Sequence, residues 1–214
     1  MYRSESRISV AWRQEWANKR FRWALLLSII SLLLCGAVAP LIFQYAEHRP
    51  GMVLNDFLLE ILPPINVSNW IFSVIYLLIA LSVTSLCSFP RNLLLGIVGY
   101  VLLTILRFGT ILLFPLEAPQ HIVELRDPIV EKLFYQAAIT KDLFFSGHTS
   151  ILILLGLVNP HKSFRLVLYL GAMVIGLLVL VQHAHYTIDV LAAPLFAFLA
   201  YWLALKVLIK TELK

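Results

Sequence analysis

Six long apolar runs, separated by shorter polar segments, dominate the chain. They cover approximately residues 23–46, 69–88, 92–114, 144–159, 163–182 and 186–209. A helix of about 20 apolar residues is long enough to cross the hydrocarbon core of a bilayer. The pattern therefore predicts an all-α, polytopic membrane protein built as a bundle of six transmembrane helices.

The segment before the first run has a different pattern. Ile8, Trp12 and Trp16 recur every four residues, so a helix would place them on one face, with basic residues on the other. Such a helix suits the inner membrane surface; the alternative is a polar tail that only fixes topology. We therefore divide the chain into a cytoplasmic, basic interfacial segment at 1–22 and a six-helix transmembrane domain at 23–214.

The composition agrees with a membrane protein. Hydrophobic residues make up 60% of the chain and charged residues only 14%, whereas a soluble domain carries about 25% charged residues. Cys35 and Cys87 both fall within apolar runs, so no disulfide is predicted. The net charge of +5 is interpreted as a topology signal and not as a sign of nucleic-acid binding.

The distribution of basic residues predicts the orientation. With a cytoplasmic N-terminus and six spans, 12 of the 17 Lys and Arg residues lie on the cytoplasmic side and 5 on the other side. This asymmetry follows the positive-inside rule. We expect both termini in the cytoplasm and a bacterial inner (plasma) membrane, with an organelle membrane as the eukaryotic alternative.

Two short polar motifs lie at the outer ends of apolar runs. Ser146-Gly147-His148-Thr149 opens the fourth run, and His185-Tyr186-Thr187-Ile188-Asp189 opens the sixth. Arg107 lies eight residues before Pro115, so it would sit about 12 Å inward from the outer end of the third span. The unusual polar residues of the membrane domain are therefore expected to meet on the non-cytoplasmic side, at similar depth.

His185 and Asp189 are four residues apart, which places them on one face of a helix. A carboxylate bound to one imidazole nitrogen fixes the tautomer and raises the basicity of the other nitrogen. This would make His185 a competent nucleophile or base. The alternative is a structural pair that ties helices together, but an ionisable residue within a membrane is costly and usually functional.

His148 follows Ser146 and Gly147 at a predicted helix start. The Ser146 hydroxyl can cap the helix, the free N–H groups there favour an anion, and Gly147 lets the backbone approach a phosphate. Arg107 is a permanent cation suited to the same phosphate, unless it snorkels to the head groups. An ordinary helix cap with an incidental histidine is the alternative. Two histidines can divide phosphoryl transfer, one attacking phosphorus and the other protonating the leaving alkoxide.

A metal site is another use of these side chains, because His183, His185 and Asp189 are all potential ligands. However, His183 and His185 are two residues apart, so on a continuous helix they would point to different faces. We therefore predict neither a metal ion nor another cofactor.

The stretches KDLFFSGHT and HAHYTIDV resemble the third and fourth motifs of the sphingomyelin synthase family, which belongs to the lipid phosphate phosphatase (type 2 phosphatidic acid phosphatase) superfamily. The residues that match these two motifs are Asp142, Ser146, Gly147, His148, Thr149, His185, Tyr186, Thr187, Asp189, Val190 and Ala193. Arg107 and Thr110 match the R-x-x-T end of the second motif, and Leu54-Asn55-Asp56 resembles the first, P-L-P-D. The six-span layout also resembles that family.

The chain also departs from the family pattern. Residues of another type stand at part of each motif: Asn55, Ile97, Val98, Thr140, Lys141, Pro194 and Ala197. The simple lipid phosphatases carry K-x-x-x-x-x-x-R-P, which is absent here. They also carry Ser-Arg six to seven residues before the second histidine, where this chain has Leu178 and Val179. The departures concern residues that could shape the substrate pocket.

The resemblance implies a phosphotransferase that moves phosphocholine or phosphoethanolamine from a glycerophospholipid to a lipid alcohol such as ceramide or diacylglycerol, through a phosphohistidine. It implies catalysis by His148, His185 and Asp189. Phosphate binding would fall to Arg107, Thr110, Ser146 and Gly147, with support from Asp142, Thr149 and Tyr186. A lipid phosphatase or phospholipase C using the same residues is the hydrolytic alternative, and a lipid-binding protein with a relic site is the non-enzymatic one.

Several properties are left open by the sequence. They include the donor head group, the acceptor, the oligomeric state (a homo-oligomer is compatible with the chain), and the roles of Asp56, Glu117 and His183. The expected partners are a membrane phospholipid donor and a lipid-alcohol acceptor.

Overall fold

A computed structural model describes residues 7–127 and 139–212 of the protein. These residues form eight helices: α1 (Arg7–Ala17), α2 (Lys19–His48), α3 (Phe57–Ile61), α4 (Ser68–Leu86), α5 (Pro90–Leu113), α6 (Gly147–Val158), α7 (Lys162–Val181) and α8 (Thr187–Glu212). The described part contains no β-strand, only an isolated bridge between Met52 and Leu116. The prediction of an all-helical, polytopic architecture is confirmed.

Within residues 7–127 and 139–212, five helices are long and apolar enough to cross a membrane, namely α2, α4, α5, α7 and α8. The helix of the fourth apolar run, α6, has only 12 residues. At 1.5 Å per residue it is about 18 Å long, well short of the roughly 30 Å hydrocarbon core. The predicted count of six spans is therefore not confirmed.

The short length of α6 follows from the residues before it. Ser146 has extended backbone angles, and its side chain accepts a hydrogen bond from the Thr149 N–H, so Ser146 is the N-cap of α6. Phe144 has a φ of 93°, which no helical residue adopts. Its ring stacks on Phe114, with ring centroids 4.2 Å apart, and this packing fixes it in a loop.

The centre of the bundle is formed by α6. It packs against α7 and α8, and also against α5. Ala193, Ala197, Ala200 and Ala204 of α8 are fully buried, and small residues at such spacing let membrane helices approach closely. The other helices surround this centre, with α4 against α7 and α2 against α5.

Within the N-terminal segment, residues Arg7–Ala17 form α1. Trp12 does not simply face outward, because its Nε1–H donates to the Cys87 carbonyl at 2.7 Å, in the turn between α4 and α5. Trp16 of the same predicted face is 51% exposed. The position of α1 on a membrane surface stays a prediction. Since Asn18 caps α2, the basic residues Lys19, Arg20 and Arg22 belong to the first turn of α2.

Candidate active site

His185 and Asp189 form a buried pair at the start of α8. The His185 Nδ1 lies 3.1 Å from the Asp189 Oδ2, and the same oxygen accepts the Tyr186 backbone N–H at 3.1 Å. The helix begins at Thr187, so His185 lies in the preceding turn and not on the helix, contrary to the spacing argument. The carboxylate still meets the imidazole because Asp189 folds back over the N-terminus of α8.

His148 lies at the start of α6, opposite this pair. The centroids of the His148 and His185 rings are 6.3 Å apart. The backbone joins the two motifs directly, since the Ser146 N–H donates to the Asp189 carbonyl at 2.9 Å. The Thr149 hydroxyl lies 3.0 Å from the Ser146 Oγ. The structure therefore brings both histidines into one site.

Arg107 reaches this site from α5 and is paired with Asp142. The Arg107 Nε donates to one carboxylate oxygen at 2.7 Å, and a terminal nitrogen donates to the other oxygen. Both side chains are mostly buried, 15% and 21% exposed. Burial alone would raise the pKa of Asp142, but the Arg107 guanidinium lowers it below its usual range. A buried guanidinium that is neutralised in this way is tolerated within a membrane.

Gly147 makes room for the guanidinium. A Cβ atom at position 147 would overlap the Arg107 side chain, with Nη1 the nearest atom. The glycine thus leaves room for the arginine in its observed position, a second role beside the approach of a phosphate inferred from the sequence.

A cavity of about 610 Å³ extends from these polar groups between α2, α4, α5 and α6. Its polar end holds Arg107, Asp142, Gly147 and His148, and its walls are mostly apolar. Two buried atoms near this end, the His148 Nδ1 and the Asp189 Oδ1, have no hydrogen-bond partner in the described part of the structure. Unsatisfied buried polar atoms are rare in proteins and mark a place where a ligand could bind.

Residues 141–206 match the protein-family model described as PAP2 superfamily C-terminal. This match supports the lipid phosphate phosphatase superfamily and an enzyme that acts on phosphate esters of lipids. None of the curated proteins matches the chain.

The stretch that matches the PAP2 superfamily contains Asp142, His148, His185 and Asp189, whereas Arg107 precedes it. The structure therefore adds Arg107 to the PAP2-matched residues through its pairing with Asp142.

Ser146, a predicted phosphate ligand, is fully buried as the N-cap of α6 and does not line the cavity. Thr110 is a second predicted phosphate ligand that the structure does not bring to the cavity. Its hydroxyl donates to the Arg107 carbonyl in the preceding turn of α5, at 2.9 Å, and it does not line the cavity. Tyr186 is buried, does not line the cavity, and its hydroxyl donates to the Glu117 carbonyl at 3.1 Å. Thr110 and Tyr186 support the backbone around the site.

The sequence left the role of Asp56 open, and the structure places its carboxylate against the first residue of α8. Its carboxylate accepts hydrogen bonds from the Thr187 N–H at 2.6 Å and the Thr187 hydroxyl at 2.8 Å, and it also caps α3. Although burial opposes the shift, these hydrogen bonds lower the pKa of Asp56. Resemblance to the first family motif singled out Asp56, but its partner is 131 residues away and could not be read from local pattern.

His183 is tied to the backbone by both ring nitrogens. Nδ1 lies 3.0 Å from the Gln120 carbonyl oxygen and Nε2 lies 2.9 Å from the Leu62 carbonyl oxygen. Its φ of 55° turns the chain sharply just before His185. The contacts place His183 in the scaffold of this turn and not beside His185 as a metal ligand.

Proposed function

We propose that the protein transfers a phospho-head group, phosphocholine or phosphoethanolamine, from a glycerophospholipid to a lipid alcohol on the non-cytoplasmic face of the membrane. The observation that carries the proposal is the pair of opposed histidines, 6.3 Å apart, one bound to a carboxylate and the other at the polar end of an apolar cavity. The resemblance to the sphingomyelin synthases supports transfer and suggests ceramide or diacylglycerol as acceptor.

In the first half-reaction, the Nε2 of His185 attacks phosphorus. Asp189 holds Nδ1–H, so that Nε2 is the nitrogen with a free electron pair. The bond between phosphorus and the diacylglycerol oxygen breaks, and protonated His148 donates its proton to that oxygen. Diacylglycerol leaves, and the head group remains as a phosphohistidine on His185.

In the second half-reaction, the acceptor hydroxyl gives its proton to His148 and its oxygen attacks phosphorus. The bond between phosphorus and His185 breaks, which restores the nucleophile, and His148 keeps the proton of the acceptor for the next cycle. Arg107 stabilises the phosphate oxygens through Nη1, the nitrogen nearest to Gly147, because its other two nitrogens bind Asp142.

The cavity suits a lipid and not a small soluble ester. Its walls carry apolar and small side chains from four helices, including Cys35, Gly36 and Ala39 of α2. Close packing joins α2 to α5 and α4 to α7, but α2 and α4 have few contacts in the described part of the chain. A lipid could therefore enter from the bilayer between α2 and α4.

The test is product analysis in proteoliposomes that contain phosphatidylcholine or phosphatidylethanolamine with ceramide or diacylglycerol. A new phospholipid identified by mass supports transfer, and free phosphocholine, phosphoethanolamine or phosphate supports the hydrolytic alternative, which the PAP2 match also accommodates. His185→Ala should abolish turnover and the acid-labile label left by a phosphorus-labelled donor. Undiminished turnover by this variant would refute the mechanism.

A further inference from the structure

The C-terminal end of α2 holds the loop that carries Asp142. The Glu47 carboxylate accepts hydrogen bonds from both backbone N–H groups of Thr140 and Lys141, the latter at 2.7 Å, and from the Thr140 hydroxyl at 2.9 Å. Three donors therefore converge on one side chain. Thr140 and Lys141 stand where the third family motif has Cys-Gly, so the hydrogen bond of the Thr140 hydroxyl depends on a side chain particular to this chain.

A glutamate is an unfavourable residue at this position of a helix. Glu47 lies one residue before the end of α2, where the carbonyl ends of the helix carry partial negative charge. The N–H groups of Thr140 and Lys141 offset this cost, and charge-assisted hydrogen bonds to backbone N–H groups are among the stronger ones.

The same segment also holds the helix that carries Arg107. Two residues after Glu47, the Arg49 guanidinium donates to the Leu112 carbonyl at 2.7 Å and to the Ile111 carbonyl, at the last turn of α5. The Lys141 ammonium contacts this segment by donating to the Arg49 carbonyl at 2.9 Å. It also forms an ion pair with Glu117 at 2.8 Å. Residues 47–49 thus connect α5 with the 140–142 loop.

We propose that Glu47 is a positioning residue for the phosphate site. By fixing Thr140 and Lys141, it sets the place of Asp142, which orients the Arg107 guanidinium over Gly147. The effect on turnover rests on the proposed function, but the effect on the Arg107–Asp142 pair does not. The two effects are therefore measured separately.

The first measurement is spectroscopic and needs no activity. The Nε–H signal of Arg107 is recorded by 15N NMR in nanodiscs and assigned with Arg107→Lys. Asp142→Asn should shift this signal, Glu47→Ala should shift it in the same direction, and Glu47→Gln should leave it in place. The glutamine matches the geometry, since its oxygen accepts both N–H groups and its amide donates to the Thr140 hydroxyl.

The matched control is Glu60→Ala, which removes an exposed carboxylate from another helix and should not shift the signal. An unchanged Arg107 signal in Glu47→Ala, or in Asp142→Asn, overturns the proposal. If Glu47→Ala does not fold, Glu47→Asp keeps the charge but is one methylene shorter, and it should shift the signal partway.

The second measurement is kinetic. Glu47→Ala should lower kcat/KM for the phospholipid donor about tenfold, mainly through KM, whereas Glu47→Gln should stay within about twofold of the unchanged protein. In an Asp142→Asn background, Glu47→Ala should add less than a further twofold loss, because both changes act on one pair. Losses that multiply, or a Glu47→Gln variant as impaired as Glu47→Ala, contradict a positioning role.

Discussion

At the scale of single residues, the polar atoms of the site differ in whether they have a hydrogen-bond partner. The His185 Nδ1, the Arg107 Nε and the Asp142 carboxylate all have partners, while the His148 Nδ1 has none among the described residues. A satisfied network orients its members, and an unsatisfied atom beside it is available for chemistry. This division agrees with the separate roles proposed for the two histidines.

Gly147 gives the sharpest prediction at this scale. Gly147→Ala should reduce turnover by at least about 100-fold, because the new methyl group would displace the Arg107 guanidinium from the phosphate position. Gly109→Ala, in α5 itself, is the matched control, since a Cβ there meets nothing within 4 Å. Initial rates with the preferred donor measure the effect, and equal rates for both variants would contradict this account of Gly147.

At the scale of elements, α8 depends on a contact outside the bundle. Asp56 connects α3 to the first residue of α8 by accepting from the Thr187 N–H and hydroxyl. The hydrogen-bond partners of the carboxylate in the described part of the chain are the N–H groups of Leu58, Leu59 and Thr187 and the Thr187 hydroxyl. These groups donate, so the charged carboxylate fits here better than an amide does.

Asp56→Asn should lower the free energy of unfolding by about 1–3 kcal/mol, because the asparagine NH2 group would face hydrogen-bond donors such as the Thr187 N–H. The pH dependence has a definite sign: the folded-state pKa of Asp56 is lowered, so its stabilisation is present above the ordinary pKa of an aspartate and is lost as the pH falls through the lowered value. Thermal unfolding of both proteins between about pH 3 and 7 measures this. A difference that does not shrink in acid would argue against the assignment.

The elements were the part most open to prediction from sequence. Apolar runs located five long helices, and the Ser146 cap is a local signal that marks the start of α6. The length of the fourth helix was overestimated because Phe144 and Phe145 are apolar. Their rings pack in a buried loop, and hydrophobicity alone does not separate such a loop from a helix.

At the scale of the molecule, the cavity extends from the polar site between α2, α4, α5 and α6. Gly36 of α2 lines the cavity, and a Cβ at this position would meet nothing within 4 Å. This open space suits an alkyl chain, and its size should influence which chains the enzyme accepts.

Gly36→Phe should shift the preference toward donors with shorter acyl chains, by about tenfold in relative kcat/KM, because the ring fills space that a long chain would occupy. Leu33→Phe is the control on the same helix, since Leu33 is 68% exposed and does not line the cavity. A mixture of donors with acyl chains of different lengths, analysed by mass spectrometry, gives the relative rates. An unchanged chain-length profile in Gly36→Phe would exclude this part of the cavity as the chain-binding region.

The assembly of the site was only partly predictable. Motif spacing identified His148, His185, Asp189 and Arg107, because charged and polar residues are conspicuous in apolar runs. The Glu47 contact to the 140–141 backbone and the Asp56 contact to Thr187 are long-range, separated by 93 and 131 residues. Such contacts depend on how the helices pack, and the local sequence pattern does not predict that packing.

The short α6 has a consequence for the bilayer itself. Lys162 and Arg165 follow its C-terminal end, and we expect these basic residues to lie at the cytoplasmic membrane surface. The N-terminus of α6 would then lie about 12 Å below the opposite boundary of the hydrocarbon core. A head group must sink by this distance to reach His148, and a thinner membrane shortens the path. Turnover should therefore rise in bilayers of shorter phospholipids, making hydrophobic thickness a control of rate, and reconstitution across a series of acyl lengths would measure it.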